Sequence, residues 1–341
     1  MRKTIRLLQK LVPELLQQLE KRYRILRTIQ YNQPIGRRIL AVKLELGERV
    51  VRSEVEFLKD QHLIEINSSG MNVTAEGEEI IDSLKNFIHQ AKGLFEVEKQ
   101  LKEVLRIENV VIVPGDLEED PSVMFELGKV AAHFIINNIK DKDVLALTGG
   151  STLKSVVDNM PSNSFYKGIT VLPARGGIGR DLEYEANTLT ATLARKMNAA
   201  YRLLHIPDSI KDEKVIHSIM NESSIRDVVE ELHNVNVLIC GIGRADKMAQ
   251  RRDLSPEMRT YLDEKGAVGE AFGSYFDEKG NAVYTIPTVG IKGQDVSKID
   301  KLIAVAGGKE KAKAIIASLS NKPNAVLITD EGTAKEILYI L

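Results

Sequence analysis

Apolar residues recur at helical spacing along the first part of the chain. Between residues 7 and 30 they fall on one side of a helix, and Pro13 interrupts that helix, so its first turns are expected to form a separate short helix. Two shorter helical patterns follow, over residues 35–44 and 48–61, with a tight turn between them. This spacing predicts a small helical domain at the N-terminal end.

The helix predicted over residues 48–61 has two different faces. Val51, Val55 and Leu58 share one side, which is expected to pack against a core. The opposite side is basic and polar, and it carries Arg49, Arg52, Ser53, Glu56 and Lys59. Two short helices joined by a turn with glycine, the second exposing such a face, are typical of a helix-turn-helix.

Alternating apolar and polar residues follow this motif. They occupy residues 63–66 and 71–73 on either side of a turn cluster, which predicts a β-hairpin. Thr74 is then placed to cap a helix over residues 75–90. A helix, a helix-turn-helix and a hairpin in this order make a winged helix, which we assign to residues 1–90.

The pattern changes at about residue 109 to strand, loop and helix in repetition. The candidate strands are continuous apolar runs, as expected for parallel strands buried on both faces. They cover residues 110–113, 144–147, 169–172, 201–205, 235–239, 302–305 and 325–328. Amphipathic segments such as 124–138 and 309–319 separate them, and residues 271–285 resemble an inserted hairpin. The fold class is therefore α/β, a winged helix-turn-helix plus a doubly wound, Rossmann-like parallel sheet over residues 91–341.

The distribution of charge adds to this picture. The chain as a whole has a net charge of −1, but its first 60 residues hold 14 Lys and Arg against 7 Asp and Glu. A basic N-terminal region on an otherwise acidic chain is expected where one domain binds nucleic-acid phosphates. A basic helix face that is simply solvated would also account for it. No apolar run is long enough to cross a membrane, and the N-terminal sequence lacks the apolar core of a signal peptide, which predicts a cytoplasmic protein.

Glycine-rich loops follow several of the predicted strands. Gly149, Gly150, Ser151 and Thr152 come after the second strand, and Gly307, Gly308 and Lys311 come after the sixth. Glycine lets the backbone approach an anion, and the helix that follows offers free N–H groups. Arg175 and Arg251 could add positive charge, and Glu270 could accept a hydrogen bond from a sugar hydroxyl. Tight packing is the alternative explanation for any one of these glycine pairs.

Catalysis has less support in the sequence. Neither a P-loop nor a complete dinucleotide-binding glycine motif is present, and neither a nucleophile elbow nor a His-Glu-x-x-His metal motif occurs. None of the six histidines falls inside a glycine-rich loop, and the single cysteine, Cys240, ends a buried-looking strand. We therefore predict no catalytic residues, no metal and no cofactor other than a small-molecule effector.

These motifs together resemble the sorbitol-operon-regulator family of sugar-binding transcription repressors. The resemblance covers nearly the whole chain and rests on residues 47–59, 145–152, 171–179, 247–252 and 304–308. It implies an effector domain like that of sugar-phosphate isomerases and deaminases that have lost catalysis. It also implies that fructose-1,6-bisphosphate, as inducer, weakens the repressor's hold on a glycolytic operator, and that homodimers pair into tetramers on DNA.

The resemblance also implies which residues bind the effector. Those at the family's ligand-contacting positions are Gly149, Gly150, Ser151, Thr152, Arg175, Arg251, Glu270 and Lys311. A bisphosphate is expected between the Gly149-Gly150 and Gly307-Gly308 loops. Glu185 departs from the family pattern, in which an amide side chain is expected, and its carboxylate would repel a nearby phosphate unless it points away.

For the DNA-binding domain we predict two kinds of contact with an operator duplex. Arg49, Arg52 and Ser53 are expected to enter the major groove. Arg37, Arg38 and Lys43 are expected to hold phosphates, and Lys59 lies on the same exposed face of its helix. The competing hypothesis is an active sugar-phosphate isomerase or deaminase with an accessory DNA-binding domain, since the same glycine loops would suit it.

Overall fold

The first long helix begins at the proline that interrupts the predicted pattern. The structure is a computed structural model that describes residues 10–162, 166–179, 181–208, 210 and 213–341. Helix α1 spans Pro13–Asn32, with the proline in the first turn, where its missing N–H costs no helical hydrogen bond. The predicted start of the helical pattern at residue 7 lies outside the described residues.

The two helices of the predicted helix-turn-helix are α2, Arg37–Leu44, and α3, Glu48–Asp60. Helix α2 begins two residues later than predicted because the backbone of Ile35 is hydrogen-bonded to that of Met71. The apolar side of α3 is buried as predicted, with Val51, Val55 and Leu58 at most 1% exposed. These residues pack with apolar residues of α1 and α2 in one core.

The predicted hairpin and the helix after it are confirmed. Strands β1, Ile64–Asn67, and β2, Gly70–Val73, pair antiparallel in a two-stranded sheet. Helix α4 spans Ala75–Ala91, and the Thr74 hydroxyl caps it by accepting a hydrogen bond from the Gly77 amide at 3.1 Å. Helix α5, Leu94–Leu105, follows. The N-terminal part is thus a winged helix.

The chain divides into two compact units. Unit 1 comprises the described residues of Met1–Val97 together with Glu119–Val123, and unit 2 comprises Glu98–Glu118 and Met124–Leu341. Within unit 1, the buried Asp120 carboxylate lies 3.2 Å from Arg27 Nη2 and 3.6 Å from Arg24 Nε. This ion pair holds the short Glu119–Val123 segment against α1.

Unit 2 contains a seven-stranded parallel sheet. The strands are β3 Asn109–Val113, β4 Val144–Leu147, β5 Thr170–Pro173, β6 Ala200–Tyr201, β7 Val237–Cys240, β12 Lys301–Val305 and β13 Ala325–Asp330. They lie in the order β3-β13-β12-β7-β4-β5-β6. From the β7–β4 pair, β4, β5 and β6 follow one another outward on one side and β7, β12 and β13 on the other, with β3 at the edge beside β13, so the doubly wound sheet predicted from the sequence is confirmed. All described residues of β7 and β13 are buried, which explains their continuous apolar runs.

Helices and short 3-10 turns connect these strands. The helices are α6 Val123–Ile136, α7 Ser151–Asp158, α8 Ala186–Met197, α9 Glu213–Met220, α10 Ser223–Leu232, α11 Ala245–Arg251, α12 Pro256–Glu264, α13 Ala312–Leu319 and α14 Glu331–Ile340. The 3-10 turns are Leu182–Tyr184, Val296–Lys298 and Lys309–Lys311. The helix predicted over residues 309–319 therefore begins as a 3-10 turn and becomes α-helical only at Ala312.

The predicted inserted hairpin belongs to a wider sheet. Strands β10, Ser274–Asp277, and β11, Ala282–Thr285, form the hairpin, and β9, Ala267–Ala271, and β8, Gly243–Arg244, extend it. The order is β11-β10-β9-β8, and every pairing is antiparallel. Strand β9 packs so closely on α13 that a Cβ at Gly269 would lie 2.8 Å from the Ala314 Cα.

The prediction of a strand over residues 201–205 is wrong in its bounds, since β6 spans only Ala200–Tyr201. Beyond that point a side chain replaces the neighbouring strand. The Asn187 amide group accepts from the Leu204 N–H at 3.0 Å and donates to the Leu204 carbonyl at 3.1 Å. The backbone of Leu204 is therefore satisfied without any further pairing to β5.

Candidate functional site

The strands β4 and β7 are neighbours, but the chain leaves them in opposite directions across the sheet. Such a point opens a crevice beyond the carboxyl ends of the two strands, where ligands bind in doubly wound folds. The loops that follow β4 and β7 meet here, and the Gly241 amide donates to the Thr148 hydroxyl at 3.3 Å.

A cavity of about 280 Å³ lies at this crevice. It is lined by eight of the ten residues for which effector binding was predicted. These are Gly149, Gly150, Ser151, Thr152, Arg175, Arg251, Glu270 and Lys311. The sequence therefore identified residues that the fold brings together from five separate segments of the chain.

The loop after β4 is built for close approach to a ligand. Gly150 has a φ of 124°, a conformation that side-chain-bearing residues rarely adopt, and a Cβ at Gly149 would lie 2.4 Å from the Tyr184 carbonyl oxygen. Helix α7 starts directly afterwards, and no side chain caps it. Its first N–H groups and the hydroxyls of Ser151 and Thr152 can therefore donate to an anion.

The loop after β12 contributes differently from the prediction. Gly307 and Gly308 do not line the cavity, because the chain uses this loop for internal contacts. The Gly308 amide donates to the buried Asp330 carboxylate at 3.1 Å. A Cβ at Gly307 would lie 2.7 Å from the same carboxylate. What this loop presents to the cavity is the pair Glu310 and Lys311.

Lys311 is a half-buried cation in the cavity wall. Burial lowers the pKa of Lys311, against the opposite effect of the nearby Glu310 and Asp330 carboxylates. Among the described residues, no carboxylate lies within ion-pair distance of Lys311, Lys247 or Arg251, which all line the cavity. Three cations without a close counter-ion make this part of the cavity suited to an anion.

Two arginines and two carboxylates of the cavity wall form a buried ionic cluster. Asp208 lies 2.9 Å from Arg175 Nη2 and also contacts the Arg252 guanidinium. Glu270 lies 3.5 Å from Arg175 and 3.3 Å from Arg252. Each carboxylate contacts both arginines, and the two positive and two negative charges balance, so the cluster is neutral overall. Its side chains are at most 9% exposed.

The position of Arg175 depends on a glycine as well as on these carboxylates. A Cβ at Gly273 would lie 2.3 Å from Arg175 Nη1, and the Gly273 amide donates to Glu270 at 3.2 Å. Burial lowers the pKa of Arg175 to about 10, with the Arg252 charge acting in the same direction and Glu270 against it. The Arg175 guanidinium remains positive at neutral pH, and its carboxylate partners stabilise this charge in the buried site.

Glu185, the departure from the family pattern, has its own partners. Its carboxylate accepts hydrogen bonds from the amides of Ile178, at 3.0 Å, and Gly179, at 2.9 Å. Glu185 lines the cavity, so a negative charge is present beside the anion-suited region. The carboxylate therefore serves to hold the loop after β5.

Sequence reasoning missed several residues of the cavity wall. They include Asp208, Arg244, Lys247, Arg252 and Glu310. Arg252 lies in the residue 247–252 motif and could have been found there. Asp208 follows the fourth strand of the sheet, and an inspection of the residues beyond that strand would have found it as well.

The predicted DNA contacts form an exposed surface on unit 1. All seven residues proposed for operator binding are exposed, namely Arg37, Arg38, Lys43, Arg49, Arg52, Ser53 and Lys59. Arg52 lies 3.5 Å from Glu56 one helical turn along, and both side chains are more than 60% exposed. Helices α2 and α3 thus present cations and the Ser53 hydroxyl to solvent while their apolar sides fill the core.

Glu54 fixes α3 to α1 on the inner side of this surface. Its carboxylate accepts from Gln18 at 2.8 Å and from Arg22 at 2.9 Å, and it lies 2.7 Å from Lys21 Nζ. Burial alone would raise the pKa of Glu54, but these hydrogen bonds outweigh it and lower the pKa to about 2. The carboxylate is therefore a strong electrostatic link between the two helices.

The described residues offer few groups for metal binding or for catalysis by histidine or cysteine. Over the described ranges, no group of three or more His, Cys, Asp or Glu is arranged to hold a metal ion. The described lining of the cavity contains no histidine, and Cys240 is fully buried, which raises the pKa of its thiol. No helix in the described part of the chain is long and apolar enough to span a bilayer.

Comparison with known proteins agrees with this geometry. Residues 89–339 match the family described as “Putative sugar-binding domain”, and residues 18–88 match “CggR N-terminal DNA binding domain”. The central glycolytic genes regulator of Priestia megaterium is 43% identical, and that of Bacillus subtilis is 40% identical, each over 99% of both chains.

Solved structures show the same relationship. A SorC family transcriptional regulator from Enterococcus faecalis superposes with a TM-score of 0.67 at 35% identity, over 71% of this chain and 99% of that one. The full-length sorbitol operon regulator SorC of Klebsiella pneumoniae superposes with a TM-score of 0.67 over 95% of this chain and 98% of its own, and at 19% identity it shows the fold alone. The chain belongs to the SorC family of sugar-binding transcriptional regulators, and within it to the group of the central glycolytic genes regulators.

Proposed function

We propose that this chain is a repressor of glycolytic genes whose hold on operator DNA is weakened when fructose-1,6-bisphosphate, or a related sugar phosphate, occupies the cavity. The relatives that are 40–43% identical are named as regulators of glycolytic genes. The observation that carries the effector part is the juxtaposition of uncapped α7 amides with Lys247, Arg251 and Lys311 around one cavity. Helix amides and cations together bind phosphate.

The two parts of the cavity suit the two parts of a sugar phosphate. The cations and the Gly149-Gly150 loop suit a phosphate group. The neutral cluster around Asp208 and Glu270 suits hydroxyl groups, because each carboxylate keeps acceptor capacity beyond its contacts with the arginines. Gly307 and Gly308 support Lys311 in this proposal and do not contact the ligand themselves.

Calorimetry on the full chain tests the effector. We expect saturable binding of fructose-1,6-bisphosphate and weaker binding of fructose 6-phosphate, which has one phosphate fewer. Unphosphorylated fructose is the matched negative control. The absence of heat and of any thermal shift at millimolar bisphosphate would reject this ligand.

For operator binding we propose that Arg49, Arg52 and Ser53 of α3 enter the major groove. Arg37, Arg38 and Lys43 would then hold phosphates of the duplex, and Lys59 would contribute to the same DNA-binding surface. The exposure of all seven side chains supports this assignment. Operator affinity should fall steeply with salt, since each phosphate contact releases counterions.

Gel-shift titration of an Arg52→Ala variant tests this placement. If the guanidinium contacts a base in bidentate fashion, operator affinity should fall by about 1–3 kcal/mol. Arg226→Ala is the control, because Arg226 also pairs with a glutamate one helical turn away on an exposed helix, but in unit 2. Equal operator affinity for the wild type and the Arg52 variant would count against the placement.

We also propose that the chain forms homodimers, which pair into tetramers on a two-part operator in the cytoplasm. A twofold-symmetric protein reads half-sites separated by whole turns of the duplex. Sedimentation of the chain alone and with operator fragments that carry one or two half-sites tests this. A monomer that binds a single half-site at full affinity would contradict it.

The alternative, an active sugar-phosphate isomerase or deaminase, needs a free acid or base in the cavity. The carboxylates in the described lining are all engaged. Asp208 and Glu270 contact the two buried arginines, Glu185 accepts from loop amides and Glu310 contacts Arg244. A panel of hexose and pentose phosphates should therefore show no turnover above background, and measurable turnover would favour the enzyme.

A further inference from the structure

An ion pair connects two walls at the rim of the cavity. Arg244, at the end of β8, places its Nη1 2.7 Å from the Glu310 carboxylate, which belongs to the 3-10 turn Lys309–Lys311. The rest of the guanidinium is held by Asp246, which accepts from Nε at 3.0 Å and from Nη2 at 2.8 Å. Both Arg244 and Glu310 line the cavity.

This rim pair differs from the buried cluster in its access to solvent. The Arg244 side chain is 33% exposed and that of Glu310 is 49% exposed, whereas the arginines and carboxylates of the cluster are nearly inaccessible. An ion pair at such an exposed position is weak, because water competes for both partners. The contact between Arg244 and Glu310 can therefore open at little cost.

The two carboxylates that contact Arg244 bind its guanidinium in different ways. Asp246 binds two nitrogens side by side and lies two residues along the chain, so it fixes the orientation of the guanidinium. Glu310 uses one nitrogen only and adds a negative charge next to Lys311. A phosphate oxygen could take the place of the Glu310 oxygen at Nη1 without disturbing Asp246.

The backbone around Glu310 limits how this exchange takes place. The Glu310 amide donates to the Glu118 carboxylate at 2.9 Å, and Lys309 forms an ion pair with Asp116. The turn is thus tethered on its outer side, while the Glu310 side chain is exposed and not packed in a core. Rotation of this side chain alone releases Arg244 and moves a negative charge away from the cavity.

We infer that Arg244 is a further anion-binding residue of the cavity, and that the Glu310 carboxylate is an internal anion that a phosphate of the ligand displaces from it. This inference rests on the proposed function, since it concerns the same cavity and a phosphorylated ligand. It makes Arg244 and Glu310 determinants of affinity for phosphorylated sugars. The exchange is one acceptor for another, and no covalent step is involved.

The test is a double-variant cycle on the full chain, with fructose-1,6-bisphosphate as the titrated probe. Glu310→Gln removes the competing charge, so binding should tighten about three- to tenfold. Arg244→Met should weaken binding about tenfold or more, since a charge-assisted hydrogen bond to phosphate is lost. Glu278→Gln is the matched control, because Glu278 forms an exposed 2.7 Å ion pair with Lys313 outside the cavity lining.

The double variant Arg244→Met with Glu310→Gln separates the two possible causes. If Glu310 acts mainly by occupying Arg244, its removal should bring a clearly smaller gain once Arg244 is absent. A gain of the same size in both backgrounds would overturn the exchange, because Glu310 would then act only through its charge. If the wild type binds the bisphosphate and the affinities of both single variants lie within twofold of that of Glu278→Gln, the inference is overturned and the proposed function stands. No bisphosphate binding by the wild type would overturn both.

Discussion

The carboxylate of Glu185 accepts a hydrogen bond from the backbone amide of Gly179 at 2.9 Å. The adjacent Ile178 amide donates to the other oxygen of the same carboxylate at 3.0 Å. Two backbone donors of the loop after β5 are thus occupied by an internal anion. A carboxylate serves both, since each of its oxygens accepts, whereas an amide side chain has one accepting oxygen.

Replacement of Glu185 by glutamine should therefore have two opposite effects. Loss of one of the two loop hydrogen bonds should lower the free energy of unfolding by about 1 kcal/mol. Loss of a negative charge from the cavity wall should tighten fructose-1,6-bisphosphate binding about three- to tenfold. Urea unfolding and calorimetry measure the two effects separately.

Glu183→Gln is the control for this prediction. This substitution makes the same change in charge two residues earlier in the chain. The Glu183 side chain is 60% exposed, lies 3.9 Å from Lys154 and is absent from the described lining of the cavity. If both variants changed bisphosphate affinity equally, the effect would come from overall charge and not from the position of Glu185.

The parts of the fold that the sequence predicted are those decided by local pattern. Strands such as β4 and β7 are apolar throughout because both faces of the sheet are covered, so a continuous run of apolar residues marks them. Helix α3 was recognised from its buried and exposed sides. The short strand β8, by contrast, has only two residues, which is too few to show a periodic pattern. Its pairing with β9 joins segments that are distant in the chain, and no local pattern in the sequence predicts such a pairing.

The candidate site was predictable where its residues follow strands. Gly149 and Lys311 lie in the segments that connect strands of the sheet to the helices that follow them, and the topology of a doubly wound fold brings such positions together. Arg175 and Glu270 of the buried cluster were predicted as site residues, but the pairing of charges within the cluster could not be predicted in this way. Asp208 and Arg252 are 4% and 9% exposed because they pair with each other across distant parts of the chain, and burial of either charge alone would be unfavourable.

Glu54 leads to a prediction about the stability of the DNA-binding unit. Its pKa of about 2 in the folded chain lies below the ordinary value of 4.5, so its contribution is present above pH 4.5 and is lost as the pH falls towards 2. Glu54→Gln should lower the free energy of unfolding at neutral pH by about 2 kcal/mol, with a smaller loss in acid. Glu56→Gln, in an exposed pair on the same helix, should have little effect. Chemical unfolding at several pH values measures both, and a loss that does not depend on pH would contradict the electrostatic explanation.

Lys311 predicts how effector binding depends on pH. Its pKa is lowered in the ligand-free chain by burial, and a bound phosphate favours the charged form and raises this pKa again. The affinity gained from Lys311 is therefore complete below its ligand-free pKa and is lost as the pH rises from that value through the higher pKa of the bound state. Calorimetry between about pH 7 and about pH 10 should show weaker binding and proton uptake at the alkaline end. Lys311→Met should bind more weakly throughout and lose the proton uptake, and an unchanged uptake would assign it to another group.

Asp208 gives the last prediction, since its carboxylate contacts both buried arginines. Asp208→Asn leaves two guanidinium charges with Glu270 as their remaining carboxylate, which should lower the free energy of unfolding by roughly 3 kcal/mol. An anion in the cavity should then restore part of the loss, so inorganic phosphate should raise the unfolding temperature of this variant more than that of the wild type. Asp158→Asn, which breaks an exposed pair with Lys154, controls for a general effect of phosphate. A variant as stable as the wild type would show that the two arginines do not depend on Asp208.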